Sequence, residues 1–108
     1  MKIPPDAIIA PEKLTKYLLV PLPKSDKSRF LAKIGFNPHN WRELERAIRT
    51  VAASADALPG GFSPHGAKWL VDGIIEGPTG LTGRVRTIWL EESGGLFRFV
   101  TLLPRTGA

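Results

Sequence analysis

The sequence predicts an α+β fold, with two or three N-terminal helices packed on one face of a C-terminal antiparallel sheet of at least three strands. Apolar residues in the first half recur at helical spacing, as Leu14, Tyr17 and Leu18 do. In the second half they alternate with polar residues, which is typical of strands that bury one face. We therefore expect one domain over 1–108, divided into an extended lead-in (1–11), a helical part (12–58) and an antiparallel meander (64–104).

The first two helices are expected on either side of a proline-containing loop. Prolines in the lead-in disfavour helix at the residues before them, and Pro11 suits a first helical turn. The second helix is expected to begin at a cap, either Ser25 or Asp26, to carry Phe30 on its apolar side and to end at Gly35.

The third helix has the clearest boundary signals. Asn37 is a candidate cap and Pro38 a candidate first helical residue. An apolar stripe at helical spacing follows, formed by Trp41, Leu44, Ile48, Val51 and Ala55. The Pro- and Gly-rich segment LPGGFSPHG then predicts a loop.

Three strands are expected over 67–76, 84–90 and 96–103. If Glu76 lies opposite Arg84 and Leu90 opposite Leu96, all even-numbered residues share one face of the sheet. The odd face is then the apolar face that the helices cover, and it holds Trp69, Val71, Ile75, Val85, Trp89, Phe97, Phe99 and Leu103. The even face carries Lys68, Asp72, Glu76, Arg84, Arg86 and Arg98 among Leu70, Ile74, Ile88 and Val100.

Composition narrows the classes of function. The chain has a net charge of +5, which favours RNA or another polyanion as partner. No apolar run approaches the roughly 20 residues that span a bilayer, so we expect no membrane contact and a cytoplasmic protein. The absence of cysteine excludes thiol chemistry, and the two histidines lack helical i, i+4 spacing. We expect neither a metal site nor a cofactor.

Ordered short motifs along most of the chain resemble a bacterial family known as domain of unknown function 6883. The resemblance lies in the order and spacing of Lys13, Leu14, Tyr17, Leu18, Leu19, Gly35, Phe36, Gly66, Gly73, Gly77, Pro78, Val85, Thr87, Trp89, Val100, Thr101 and Pro104. Such domains resemble toxin-like modules. A helical front followed by an antiparallel sheet is also similar in outline to the barnase, colicin and RelE-like ribonucleases, which is an analogy of fold. The resemblance supplies no catalytic residues.

The residues themselves offer the groups that metal-independent RNA cleavage needs, which are a proton acceptor, a proton donor and cations that hold the phosphate. We take His65, Lys68 and Arg86 as the candidate catalytic residues, because histidine titrates near neutrality and arginine binds phosphate through two N–H groups. The candidate RNA-binding residues are Arg84, Arg98, Lys13, Lys16 and Tyr17. The predicted function is thus a toxin-like, RNA-targeting domain, an endoribonuclease that a partner neutralises.

Other interpretations stay open at this point. His65 in SPHG also fits an ordinary turn, and the arginines also fit a solvated sheet face. The chain is alternatively a non-enzymatic module that binds a small acidic, antitoxin-like protein or a nucleic acid through its basic sheet face. The sequence leaves the oligomeric state open. A register slip of one residue would move Arg84, Arg86 and Arg98 to the opposite face.

Overall fold

A computed structural model describes residues 1–24 and 26–105 and confirms the predicted α+β fold class. Three helical segments precede a four-stranded antiparallel sheet in which each strand pairs with its neighbour in sequence. The helical segments are a π-helix at Lys13–Leu18, α1 at Ser28–Lys33 and α2 at Trp41–Ser54, which a 3₁₀ turn at Pro38–Asn40 precedes. The strands are β1 at Leu58–Ser63, β2 at Gly66–Glu76, β3 at Thr82–Glu91 and β4 at Phe97–Pro104.

The predicted cap Asn37 caps the 3₁₀ turn that precedes α2, whereas the N-cap of α2 itself, Asn40, makes no side-chain cap hydrogen bond. The Asn37 side-chain oxygen accepts hydrogen bonds from the backbone N–H groups of His39 at 2.8 Å and Asn40 at 3.2 Å. Pro38 occupies the first position of the 3₁₀ turn, where its missing N–H costs no hydrogen bond. The turn leads directly into α2, so these hydrogen bonds fix the residue at which the helical segment begins.

The boundaries of α1 also follow local signals. Asp26 Oδ1 accepts hydrogen bonds from the Ser28 backbone N–H at 3.0 Å and from its hydroxyl at 2.7 Å. The other candidate cap, Ser25, lies outside the described residues. Gly35 follows the end of the helix with a φ of 103°, a conformation that favours glycine.

The core lies between the helices and the odd-numbered face of the sheet. Helix α2 crosses β2 at Gly73, where a β-carbon would lie 3.1 Å from the side chain of Val51. The least exposed large side chains are Trp89, Phe36, Phe99, Leu14, Leu31, Leu44, Ile48, Ile75, Leu102, Val51, Val71 and Val85. They come from every layer, so the helices and one sheet face form a continuous apolar interior.

The predicted register is wrong by two residues in both hairpins. Glu76 pairs with Thr82 instead of Arg84, and Leu90 pairs with Arg98 instead of Leu96. Side chains alternate with a period of two, so an error of two residues leaves every side chain of β2 and β3 on its predicted face.

Because of a β-bulge in β4, one residue that we predicted in the core is exposed. Trp89 pairs with Phe99 and Ile88 pairs with Thr101, so Val100 is an extra residue on β4. Beyond it the alternation changes phase. Leu103, which we expected in the core, is 38% exposed, and Leu102 is fully buried in its place.

The two edges of the sheet differ. Strand β1 occupies the segment that the sequence predicted as a loop, and its pairing is irregular between Pro59 and Phe62. The Phe62 side chain is 90% exposed. At the other edge, Ile8 of the lead-in forms a parallel bridge beside Arg98 and hydrogen-bonds to the backbone of β4. The lead-in therefore covers part of the β4 edge, whereas β1 is an outer strand.

Candidate functional site

The face of the sheet turned away from the core carries four of the eight predicted site residues, and we call it the open face. It comprises the side chains of Lys68, Leu70, Asp72, Ile74, Glu76, Arg84, Arg86, Ile88, Leu90, Arg98, Thr101 and Leu103. Charged and aliphatic side chains are mixed on this surface. Arg84 is exposed and Ile74 is 62% exposed, so the face is open to solvent.

Arg86 is engaged with a carboxylate on the neighbouring strand. Its Nε lies 2.8 Å from Asp72 Oδ1 and its Nη2 lies 3.1 Å from Asp72 Oδ2. Arg105, just after β4, also donates a hydrogen bond to Asp72 Oδ2. The hydrogen bond from Arg86 is the main reason that the pKa of Asp72 lies below its ordinary value, and the same contact raises the pKa of Arg86. The three side chains thus form one ionic network with a net positive charge.

The other predicted cations of the open face have different surroundings. Arg84 lies opposite Ile74, and among the described residues no carboxylate forms an ion pair with it. Arg98 Nε lies 3.3 Å from Glu92 Oε1. Lys68 is exposed opposite Leu90 at the far end of the sheet. Among the described residues, Arg84 and Lys68 are therefore the cations of this face that form no ion pair, unlike Arg86 and Arg98.

The structure does not bring the three candidate catalytic residues together in one cleft. Arg86 lies opposite Asp72, and Lys68 is four residues from Asp72 along β2, or about 13 Å at the rise of a strand. His65 is exposed in the turn before β2, roughly 20 Å from that position. Its backbone N–H donates to Ser63 Oγ at 3.2 Å. His65 and Lys68 thus lie toward one end of β2, and Arg86 lies nearer the other.

The predicted residues of the first helix border a separate groove between the π-helix and β4. We call it the β4 groove. It has a volume of about 410 Å³ and is lined by Lys13, Tyr17, Leu18, Leu22, Lys27, Val100 and Thr101. Lys16 is exposed outside it. Thr101 pairs with Ile88 of the open face, so the groove adjoins the β4 side of that face.

Lys27 and Arg105 are functional candidates that the sequence reasoning missed. Lys27 precedes α1 and joins the groove through the folding of the loop before it. Arg105 reaches Asp72 because its backbone N–H continues the pairing of β4 beside Arg84. The position of Arg105 beside Arg84 depends on the bulge at Val100, which no sequence pattern marks.

The described residues offer no group of three His, Asp or Glu side chains that could hold a metal ion. In the same part of the chain, no helix is both long enough and apolar enough to cross a bilayer.

The helices cover one side of the antiparallel meander, and the basic and aliphatic open face lies on the other side. This arrangement defines a small α+β domain with one solvent-exposed sheet surface. Comparison with known families shows which family the chain belongs to. The chain belongs to the family described as domain of unknown function (DUF6883), whose profile matches residues 5–106.

A solved structure from Klebsiella pneumoniae 342 has a similar fold. It is a contact-dependent growth inhibition toxin–immunity protein complex, and one of its chains matches with a TM-score of 0.71 and 14% identity. The match covers 92% of this chain and 100% of that chain. No curated protein sequence matches the chain.

The ionic network gives a prediction about pH. Replacing Asp72 with asparagine is expected to lower the free energy of unfolding at pH 7 by at most about 1 kcal/mol, because the carboxylate is partly exposed and screened. The folded-state pKa is depressed, so this stabilisation is present above the unfolded pKa of about 3.9 and is lost as the pH falls through the folded value. Urea unfolding at pH 7 and at lower pH values measures the difference.

Glu76→Gln is the matched control, because Glu76 is an exposed carboxylate of the same strand face. It is expected to change stability less than Asp72→Asn at pH 7. A difference between Asp72→Asn and the unaltered protein that stayed constant down to pH 2 would contradict the assignment.

Proposed function

We propose that this chain is a toxin-like domain that acts on RNA as a metal-independent endoribonuclease, and that a partner protein holds it in check. The observation that carries the proposal is the open face, on which Lys68, Arg84, Arg86 and Arg98 lie among aliphatic side chains. Lysine and arginine attract the phosphate backbone, and aliphatic and aromatic surfaces accept unstacked bases.

The spacing of the cations suits an extended strand of RNA. Arg84 and Arg86 are two residues apart on β3, so their side chains leave the same face at points about 7 Å apart. No carboxylate within 1–24 and 26–105 pairs with Arg84, so its guanidinium N–H groups suit a two-pronged contact with phosphate. Arg86 keeps its contacts with Asp72 and adds positive charge beside it.

The positions of the candidate catalytic residues divide their roles in this proposal. His65 lies in the turn before β2, three residues before Lys68 in sequence and at the same end of that strand. His65 would transfer protons there while Lys68 stabilises the developing charge on the phosphate. Arg86 would hold the RNA further along the open face, as Arg84 and Arg98 do.

The comparison with the Klebsiella complex supports the toxin-like part of the proposal through the fold. That complex joins a toxin with an immunity protein, and one of its chains has a similar arrangement of helices and sheet. A neutralising partner for the present chain would be acidic, because the chain has a net charge of +5 and an exposed basic face.

The proposed activity is tested by incubating the purified protein with structured and unstructured RNA in EDTA. We expect cleavage that His65→Ala abolishes and that Arg86→Gln lowers by about tenfold or more. His39→Ala is the matched control, because His39 is also exposed but lies in the 3₁₀ turn before α2. Unchanged cleavage by the His65 variant would remove that residue from the mechanism, and an inert wild-type protein would count against the enzyme.

A second candidate function is a non-enzymatic protein-binding module. Large apolar side chains are exposed on β1 and the open face, including Phe62 at 90% and Ile74 at 62%. Such side chains are typical of protein interfaces. Tight binding of an acidic partner without RNA cleavage would favour this function. RNA binding that weakens steeply with salt, again without cleavage, would instead indicate a nucleic-acid-binding domain.

A further inference from the structure

We propose that the β4 groove binds one nucleotide of single-stranded RNA, with its phosphate between Lys13 and Lys27 and its base against Tyr17. The identity of the ligand as RNA rests on the proposed function. The position and chemistry of the site rest on the groove itself, where Lys27 joins Lys13 and Tyr17, which the sequence suggested.

The charge of the groove favours an anion. Lys13 and Lys27 both line it, and within the described part of the chain none of its lining residues carries a carboxylate. The acidic residue next to Lys27 is Asp26, which accepts two hydrogen bonds from Ser28. These bonds are the main cause of the lowered pKa of Asp26. The carboxylate therefore has its own partners, and the two ammonium groups are available to a phosphate.

An unusual helix forms one wall of the groove. Lys13–Leu18 is a π-helix, and the Leu19 backbone N–H closes its wide turn on the Leu14 carbonyl at 2.9 Å. Buried Leu14 and Leu18 anchor this helix to the core, while Tyr17 is 56% exposed beside the groove. π-Helical turns are rare and occur frequently at functional sites. An exposed tyrosine ring beside two cations suits base stacking.

The β-bulge forms the opposite wall. Phe99 and Leu102 both point into the core, so the extra residue of β4 leaves Val100 and Thr101 to line the groove. The Thr101 hydroxyl makes a long contact of 3.4 Å with the Leu102 carbonyl. Such a weak bond is easily exchanged for one donated to a phosphate oxygen. Bulges often re-aim side chains beside active sites.

Two departures from regular secondary structure thus meet at one groove. Regular local structure would be the simpler solution for both segments, and sites where local rules are broken are often functional. The groove volume of about 410 Å³ lies within the range of small-molecule sites. Because Thr101 pairs with Ile88, an RNA strand that crosses the open face toward β4 would reach the groove.

The site is tested by titrating 5′-AMP, adenosine and inorganic phosphate into ¹⁵N-labelled protein and following amide shifts by NMR. We expect AMP to shift the signals of Lys13, Tyr17 and Thr101 and adenosine to bind more weakly. Combining Lys13→Ala with Lys27→Ala should weaken AMP binding by about tenfold or more. Tyr17→Leu should weaken AMP binding while leaving the binding of phosphate unchanged, and Tyr17→Phe should restore AMP binding.

Lys33→Ala is the matched control, because Lys33 is an exposed lysine of α1 and lies outside the groove. An effect of Lys33→Ala as large as that of the double variant, or shifts confined to other regions, would overturn the site. Displacement of AMP by polyglutamate at equal charge concentration would indicate a protein ligand and would also overturn it. RNA cleavage without AMP binding would support the proposed function and contradict the nucleotide site. AMP binding without RNA binding or cleavage would support a nucleotide site in the groove and contradict the proposed function.

Discussion

Replacing Trp89 with alanine is expected to lower the free energy of unfolding by about 4 kcal/mol. The Trp89 side chain is 1% exposed, and its ring meets the Phe99 ring edge to face with centroids 5.3 Å apart. Its Nε1–H donates to the buried Thr87 hydroxyl at 2.9 Å. The substitution removes the largest of the fully buried side chains and leaves a cavity between the sheet and its covering layer. Urea denaturation followed by circular dichroism measures the loss.

Trp41→Ala is the control for the size of the side chain. Trp41 is partly exposed at the start of α2, and the Arg42 guanidinium lies 4.7 Å from the centroid of its ring. Its loss is expected to cost about 1–2 kcal/mol, because much of the ring already contacts water. Equal costs for the Trp41 and Trp89 variants would contradict the assignment of Trp89 to the centre of the core.

The division of the sheet into a core face and a basic face could be predicted from the sequence. Alternating apolar residues such as Val71, Val85 and Trp89 mark the buried side, and burial of that side fixes the parity of each strand. The pairing of residues across the two hairpin turns was less predictable. Glu76 pairs with Thr82 because the hairpin is tighter than its Gly-containing connection suggested.

The sequence does not show where the strands depart from regular geometry. The residues around Val100 all favour strands, so nothing in their types shows where a bulge moves the buried position from Leu103 to Leu102. Strand β1 contains Gly60 and Gly61, which favour a turn when read alone. A β-carbon at Gly60 would lie 3.0 Å from the Leu70 side chain, so glycine suits this close approach within the strand.

The candidate site was predictable in type and less so in arrangement. The basic character of the open face followed from parity, and Lys13 and Tyr17 were proposed from their position on the predicted first helix. Lys27 and Thr101 are far apart in sequence and meet at the groove through tertiary packing alone. The separation of His65 from Arg86 likewise depends on the register of β2 with β3. A sequence shows which groups a site has available, and the fold decides which of them act on one ligand.

Replacing Gly77 with alanine is expected to cost about 3 kcal/mol or more. Gly77 is buried in the connection after β2, and a β-carbon there would overlap the backbone carbonyl of Ile34 at the end of α1. A backbone group cannot rotate away as a side chain does, so α1 and the hairpin must separate. Urea denaturation measures the loss of stability, and near-ultraviolet circular dichroism reports the loss of tertiary packing.

Gly80→Ala is the matched control in the same connection. Gly80 has a φ of 90°, and a β-carbon there would meet no atom within 4 Å, so the substitution should cost only the backbone strain of about 1 kcal/mol. A Gly77 variant as stable as the Gly80 variant would show that α1 does not press on the hairpin. The contrast bears on function, because the contact between Ile34 and Gly77 is one of those that hold the helical layer against the core face. With that layer fixed, Arg84 and Arg86 remain on a face that is open to a ligand.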